Sequence, residues 1–229
     1  MTFLMIPGAG GAAWYWHVVQ RELTAHGHDV VAVDLPVGGQ NGLAEYADAV
    51  VAAGAGRERV TLVAQSMGAF TAALAAQHLP VARIIFLNAM IPIPGETPGE
   101  WWTATGQSDA KRTNDLDSGR DPDAPFDLDT YFLHDIPVGL KAEIAAHGGS
   151  DSEALFGSVC DFEAWPPVPI HVVAGRDDRF FPIGFQRRIA LERLGLAVTE
   201  VDGGHLVALA RPHLVARILE DFESADIAP

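Results

Sequence analysis

The sequence predicts an α/β domain: a doubly wound, mostly parallel sheet of about six strands with flanking helices and one long inserted cap. Three observations predict it. Short apolar runs alternate with helix-length stretches, and strands covered on both faces must read as near-continuous apolar runs. One interval of that alternation, from 91 to 168, is far longer than an ordinary connection. The chain has 229 residues, 48% of them hydrophobic, enough for one well-buried α/β domain and too few for two.

Thr2 to Ile6 is the first strand, stopped at Pro7-Gly8. The helical stretch Ala13 to His26 leads past Gly27 into a second strand, Asp29 to Val33. Helix Gly42 to Ala53 precedes the β-branched run Arg59 to Val63, and the Ala-rich stretch Met67 to Leu79 precedes strand Ala82 to Leu87. Residues 91–168 are first rich in Pro, Gly and Asp, then carry helix-like pieces near Tyr131 and over Leu140 to Ala146. An insertion between two core strands is expected to cover the sheet's C-terminal edge, where open α/β sheets bind ligands. The pattern resumes with strand Pro169 to Ala174, helix Ile183 to Leu194, strand Ala197 to Val201 and helix Leu206 to Phe222. Residues 1–90 and 169–229 are therefore read as the core and 91–168 as the cap.

The chemistry is concentrated in the loops after these strands. Ser66, in Ala64-Gln65-Ser66-Met67-Gly68, lies between a buried strand and a helix, with small residues two places to either side. Such a turn, a nucleophile elbow, pushes Oγ out over the sheet edge and brings strand and helix so close that larger side chains would collide. A nucleophilic serine needs a base and a carboxylate to orient that base. The base is His205, after the sixth strand, and the acid is Asp177 or Asp178, after the fifth. The order Ser, acid, His is the one this architecture demands. Backbone N–H groups to receive a developing oxyanion are expected from Met67 and, in the loop Pro7-Gly8-Ala9-Gly10-Gly11, from Ala9. The same loop satisfies the dinucleotide pattern G-x-G-x-x-A, with Asp34 placed as a ribose-binding acid. Trp14 and Trp16 would crowd a pyrophosphate there, no Tyr-x-x-x-Lys pair exists, and Ser66 and His205 would have no role. No cofactor is expected.

Pro7-Gly8-Ala9 with Trp14 and Trp16, the segment Gly27 to Leu35, the Ser66 elbow, Gly175-Arg176-Asp177-Asp178 and Gly204-His205 together resemble the α/β-hydrolase superfamily. Within it, the chain is similar to the branch of plant methyl-ester esterases, hydroxynitrile lyases and small bacterial esterases. The resemblance implies that the fourth residue of Gly-x-x-Asp is the acid, which selects Asp178. It also exposes departures. Pro7 stands where the family usually has histidine, so one polar contact beneath the oxyanion loop is missing. The lyases place threonine at the position of Gly8 and lysine at that of Leu206, and neither is present. The reading implied is a serine hydrolase that cleaves a small, rather apolar carboxylic ester through an acyl-enzyme. Two other classes use the same constellation: a non-hydrolytic enzyme, lyase or cofactor-free oxygenase, and a ligand receptor without turnover.

The pocket is expected to be lined by Met90, Trp101, Tyr131, Phe180 and Leu206, with most other cap aromatics forming the cap's own core. His26, His28 and His171 read as structural, Asp135 as a helix start beside His134, and Cys160 as a small buried hydrophobe. The nine histidines show no metal-ligand spacing, so no metal is expected. The net charge of −15 repels nucleic acid and anionic membrane, leaving a small-molecule substrate as partner and a homodimer as compatible. The apolar start has no basic flank and breaks too early for a leader or a span, so a cytoplasmic protein is expected.

Overall fold

The computed structural model describes residues 1–147, 149 and 151–225. Six strands, β1 (Thr2–Ile6), β2 (Asp29–Ala32), β3 (Val60–Gln65), β4 (Val81–Leu87), β5 (Ile170–Gly175) and β6 (Thr199–Val201), form one sheet in the order β2-β1-β3-β4-β5-β6. All adjacent pairs are parallel, with Thr2 opposite both Asp29 and Val60. Strand order reverses between β1 and β3. The crevice at their C-terminal ends is therefore the ligand site that such sheets offer.

Helices cover both faces: α1 (His17–Ala25), α2 (Leu43–Gly54), α3 (Gly68–Ala75), α9 (Ile183–Leu194), α10 (Val207–Ala210) and α11 (Pro212–Ala225). Alternation along each strand sorts its side chains. Phe3, Met5, Val63, Ile85 and Leu87 pack toward Trp16 and Leu23 before and on α1 and toward Val215 and Leu219 of α11. Leu4, Ile6, Leu62, Ala64, Ile84 and Phe86 pack toward Tyr46 and Val50 of α2, Phe70 of α3 and Ile189 of α9. Each Val, Leu, Ile, Phe or Met among them, taken fully out of water, contributes roughly 1.5–3 kcal/mol.

The inserted segment between β4 and β5 contains α4 (Pro98–Thr105), α5 (Gln107–Asp117), α6 (Leu128–Tyr131), α7 (Val138–His147) and α8 (Glu153–Gly157). Two of these depart from the irregular structure expected over its first half. Thr97 caps α4 by accepting from Glu100 N at 3.1 Å while Glu100 Oε2 accepts from Thr97 N at 3.0 Å, and Pro98 sits at the first helical position. The prolines and glycines that read as loop are helix punctuation. The single helix expected over Leu206 to Phe222 is two, because Pro212 has no N–H with which to continue α10 and opens α11 instead. Likewise Ala13–Trp16 is a 3₁₀ turn ahead of α1.

Candidate active site

The turn between β3 and α3 puts Ser66 at φ 50°, a strained value for a residue with a Cβ. It is held there by its own backbone: Ser66 N donates to Leu87 O at 3.2 Å, and Met90 N donates to Ser66 O at 2.9 Å. Gly68 must lack a side chain because a Cβ would press on Pro7 O and lie 3.0 Å from Ile6 O. This contact is also how the elbow and the loop after β1 come to lie side by side. A Cβ at Gly8 would collide with Gln65 Oε1 and lie 2.9 Å from Ser66 Cβ.

His205 Nε2 lies 3.1 Å from Ser66 Oγ, and Nδ1 lies 2.8 Å from Asp178 Oδ2. All three residues are buried. An ionised carboxylate only accepts, so Nδ1 carries the proton and Nε2 is left to accept from the serine hydroxyl. The other oxygen, Asp178 Oδ1, accepts from Phe180 N at 2.9 Å and Phe181 N at 2.8 Å. Asp177 is exposed, and its Oδ2 accepts from Gly203 N at 3.0 Å, away from the imidazole. The imidazole is enclosed edge-on by Phe132, Phe180 and Phe181, with ring centroids 4.7, 5.5 and 4.8 Å away.

A cavity of about 490 Å³ opens above Ser66. It is lined by Pro7 to Gly10, Met67, Met90 and Leu206 and, from the inserted segment, by residues that include Trp102, Phe126, Phe132 and Phe156. Trp14 stands in this wall with its indole stacked between the imidazoles of His17 and His147, at 4.6 and 4.7 Å.

Residues 3–218 match the model of the alpha/beta hydrolase family. The chain belongs to that family. This hydrolase is 36% identical to Methylesterase 7 of Arabidopsis thaliana over 95% of each chain, and 24% identical to norfluorocurarine synthase 1 of a Strychnos species over 96% of this chain and 94% of that one. Among solved structures, a pyrethroid hydrolase from Sphingobium faniae JZ-2 superimposes with a TM-score of 0.80 at 25% identity, covering 98% of each chain. Polyneuridine aldehyde esterase does so with a TM-score of 0.75 at 21% identity, covering 97% of this chain and 98% of that one.

Of the pocket residues expected from the sequence, Met90, Phe180 and Leu206 lie in the hydrolase's cavity wall, and Trp101 and Tyr131 do not. Trp101 is fully buried against Phe181 and Phe185, its Nε1 donating to Ile91 O at 3.1 Å. Tyr131 is buried within the inserted segment. Its hydroxyl donates to Asp115 at 2.8 Å, and Lys111 Nζ lies 4.0 Å above its ring. In both cases the next residue faces the cavity, Trp102 for Trp101 and Phe132 for Tyr131, because successive side chains on a helical turn point about 100° apart.

Asn88 and Asp135 support the site in ways that no sequence motif records. Asn88, buried at φ 46°, accepts from Gly175 N at 2.7 Å and donates to Gly204 O and His205 O at 2.9 and 3.0 Å. It ties the loop that carries Asp178 to the loop that carries His205. A polar residue directly at the C-terminal end of a buried strand was the available clue. Asp135, expected to start a helix, instead accepts from Gly204 N at 2.7 Å and braces the His205 loop from the inserted segment. Its neighbour His134 is held below the usual imidazole range, chiefly by burial and then by the Arg179 guanidinium.

His26 and His28 pair with Glu220 at 2.8 and 3.1 Å, and His171 stacks on Phe222 at 4.0 Å. Cys160 is buried, and burial pushes its thiol up to about 12. Among the described residues, no group of three or more His, Cys, Asp or Glu side chains is placed to hold a metal ion, and no helix is long and apolar enough to cross a membrane.

Proposed function

We propose that this hydrolase is a serine esterase for small, rather apolar carboxylic esters, with Ser66 as nucleophile, His205 as base and Asp178 as the acid that orients it. The unbroken hydrogen-bonded line from Ser66 Oγ through His205 to Asp178 Oδ2, at the floor of an aromatic-walled cavity, carries this reading. The names of Methylesterase 7 and the pyrethroid hydrolase support it.

In the first step Ser66 Oγ attacks the ester carbonyl and gives its proton to His205 Nε2, while Asp178 holds Nδ1–H. The tetrahedral oxyanion is received by the backbone N–H groups of Ala9 and Met67. Two other amides of the loop after β1 are engaged within the protein: Gly10 N with Asp151 and Gly11 N with Gly8 O. His205 returns the proton to the leaving alcohol, water attacks the acyl-enzyme by the same route, and the free acid departs. Residues 91–168 act as the cap that excludes bulk water and shapes the acyl and alcohol sites. A cyanohydrin-cleaving reading lacks support, because position 8 has no room for a hydroxyl-bearing side chain and position 206 is leucine.

The test is intact mass and peptide mapping after incubation with a fluorophosphonate probe, followed by an ester panel with titration of released acid. A single adduct on Ser66, absent in Ser66→Ala, together with acid release is expected. Folded protein that takes up no probe and releases no acid overturns the reading.

A further inference from the structure

The loop Pro7-Gly8-Ala9-Gly10-Gly11 has no polar side chain of its own with which to hold its shape. Its backbone groups must find partners elsewhere. Gly11 pairs with Gly8 O and Leu35 N, and the two groups of Gly10 find their partners in Asp151 and Gly149 of the inserted segment. Gly10 N donates to Asp151 Oδ2 at 2.9 Å, and Gly10 O accepts from Gly149 N at 3.3 Å. Asp151 is itself anchored, since Oδ1 accepts from the hydroxyl of Tyr46 on α2 at 2.9 Å, and the adjacent Ser152 Oγ donates to Asn41 O at 2.6 Å. A core tyrosine, a cap carboxylate and a loop amide thus form one chain of hydrogen bonds.

Gly10 N and the Ala9 carbonyl belong to one planar peptide unit, so fixing that N–H fixes ψ of Ala9 and restricts where the preceding amide points. The geometry points to Asp151 as a positioning residue for the acyl transfer proposed above: a cap carboxylate that sets the Ala9–Gly10 peptide so that the Ala9 amide faces the carbonyl oxygen undergoing attack. The inference rests on that reading of the reaction. Asp151 acts through its acceptor lone pairs, because a negative charge beside a developing oxyanion is itself unfavourable. In Asp151→Asn the amide oxygen can still accept from Gly10 N, and the amide nitrogen can donate to the Tyr46 hydroxyl, which serves as donor or acceptor. In Asp151→Ala the support is gone.

The experiment measures kcat and KM on one neutral ester, and the affinities of two inhibitors that share its acyl group. One is a boronic acid that becomes tetrahedral on Ser66, and the other is an unreactive carboxamide. Asp151→Ala is expected to lose about 10- to 100-fold in kcat and in boronic acid affinity, with KM and carboxamide affinity within about twofold. Asp151→Asn is expected to recover kcat to within about threefold of wild type. Tyr46→Phe, which removes only the anchor of Asp151, is expected to show a smaller loss in the same direction and carries the test if Asp151→Ala fails to fold. An active wild type whose Asp151→Ala variant keeps its kcat, or loses both inhibitors equally, overturns this inference alone. So does Asp151→Asn as impaired as Asp151→Ala, or, where Tyr46→Phe carries the test, an unchanged kcat. A wild type that does not hydrolyse esters overturns it together with the proposed function.

Discussion

Asp178→Asn is the substitution whose outcome the geometry fixes most tightly. Asp178 Oδ1 accepts from two backbone amides, Phe180 N and Phe181 N, so the oxygen of an introduced carboxamide must stay on that side. The NH₂ then occupies the place of Oδ2, 2.8 Å from His205 Nδ1, and donates to it. An Nδ1 that accepts leaves the proton on Nε2, facing Ser66 Oγ, which is the wrong tautomer for a base. The expected cost is about 10⁴ in kcat, or about 5.4 kcal/mol of transition-state stabilisation. Because the replacement is isosteric, KM and thermal stability should change little. Asp177→Asn is the control: its exposed side chain accepts from Gly203 N, a bond that a carboxamide oxygen preserves, so the loss should stay below about tenfold. Both variants are to be assayed by stopped-flow hydrolysis of an activated ester after fluorophosphonate titration of active sites. Equal losses in the two variants, or an Asp178→Asn enzyme within about tenfold of wild type, would refute the reasoning.

Three further outcomes follow from other parts of the molecule. Gly8→Thr forces a Cβ against Gln65 Oε1 and to 2.9 Å from Ser66 Cβ, and should lower kcat by about 10²-fold in the same assay; a near-normal rate would mean that the loop after β1 does not take part. Trp101→Ala should cost about 3–5 kcal/mol, lowering Tm by about 6–20 °C, whereas Trp102→Ala should leave Tm nearly unchanged and alter KM across an ester series; the reverse pattern would undo the assignment of these neighbours to core and wall. Burial alone would raise the Asp115 carboxyl, but Arg120, Lys111 and Tyr131 hold it below the ordinary carboxylate range. A depressed folded pKa gives stability that is present above the unfolded value near 3.9 and lost as pH falls through the folded one. Asp115→Asn should therefore lower Tm at pH 7 by about 6–12 °C and flatten the acid limb of Tm against pH, and an unchanged acid limb would count against the network.

What the sequence made legible was whatever is decided within a few residues. The elbow around Ser66 is a steric pattern, because small residues are needed where strand, helix and the loop after β1 converge, and that pattern is local. Strand interiors such as Phe3-Leu4-Met5-Ile6 are readable for the same reason, since burial on both faces leaves a continuous apolar run. The choice between Asp177 and Asp178 was not decided by spacing. It depends on a turn in which Phe180 N and Phe181 N fold back on one carboxylate and fix it toward His205. Asn88, Asp135 and Asp151 were out of reach because the bonds by which they hold the site loops end on backbone groups far away in sequence: Gly175 and Gly204 for Asn88, Gly204 for Asp135, Gly10 for Asp151. No residue type is required at the other end of such a bond, so no motif records it. The capping box at Thr97 and Glu100 lies in a stretch so dense in Pro and Gly that its local composition matches a loop as well as a helix start.

The position of Trp14 has an optical consequence. An indole in the cavity wall, stacked face to face between two imidazoles, is an emitter whose quenching depends on how closely those rings stay in contact. Any molecule that lodges above Ser66 changes the polarity around Trp14 and Trp102, so occupancy registers in the protein's own near-ultraviolet emission. With the single thiol sealed in the interior, a cysteine introduced at the cavity rim would be the sole site for a thiol dye, making the cavity observable from inside and out in the same sample.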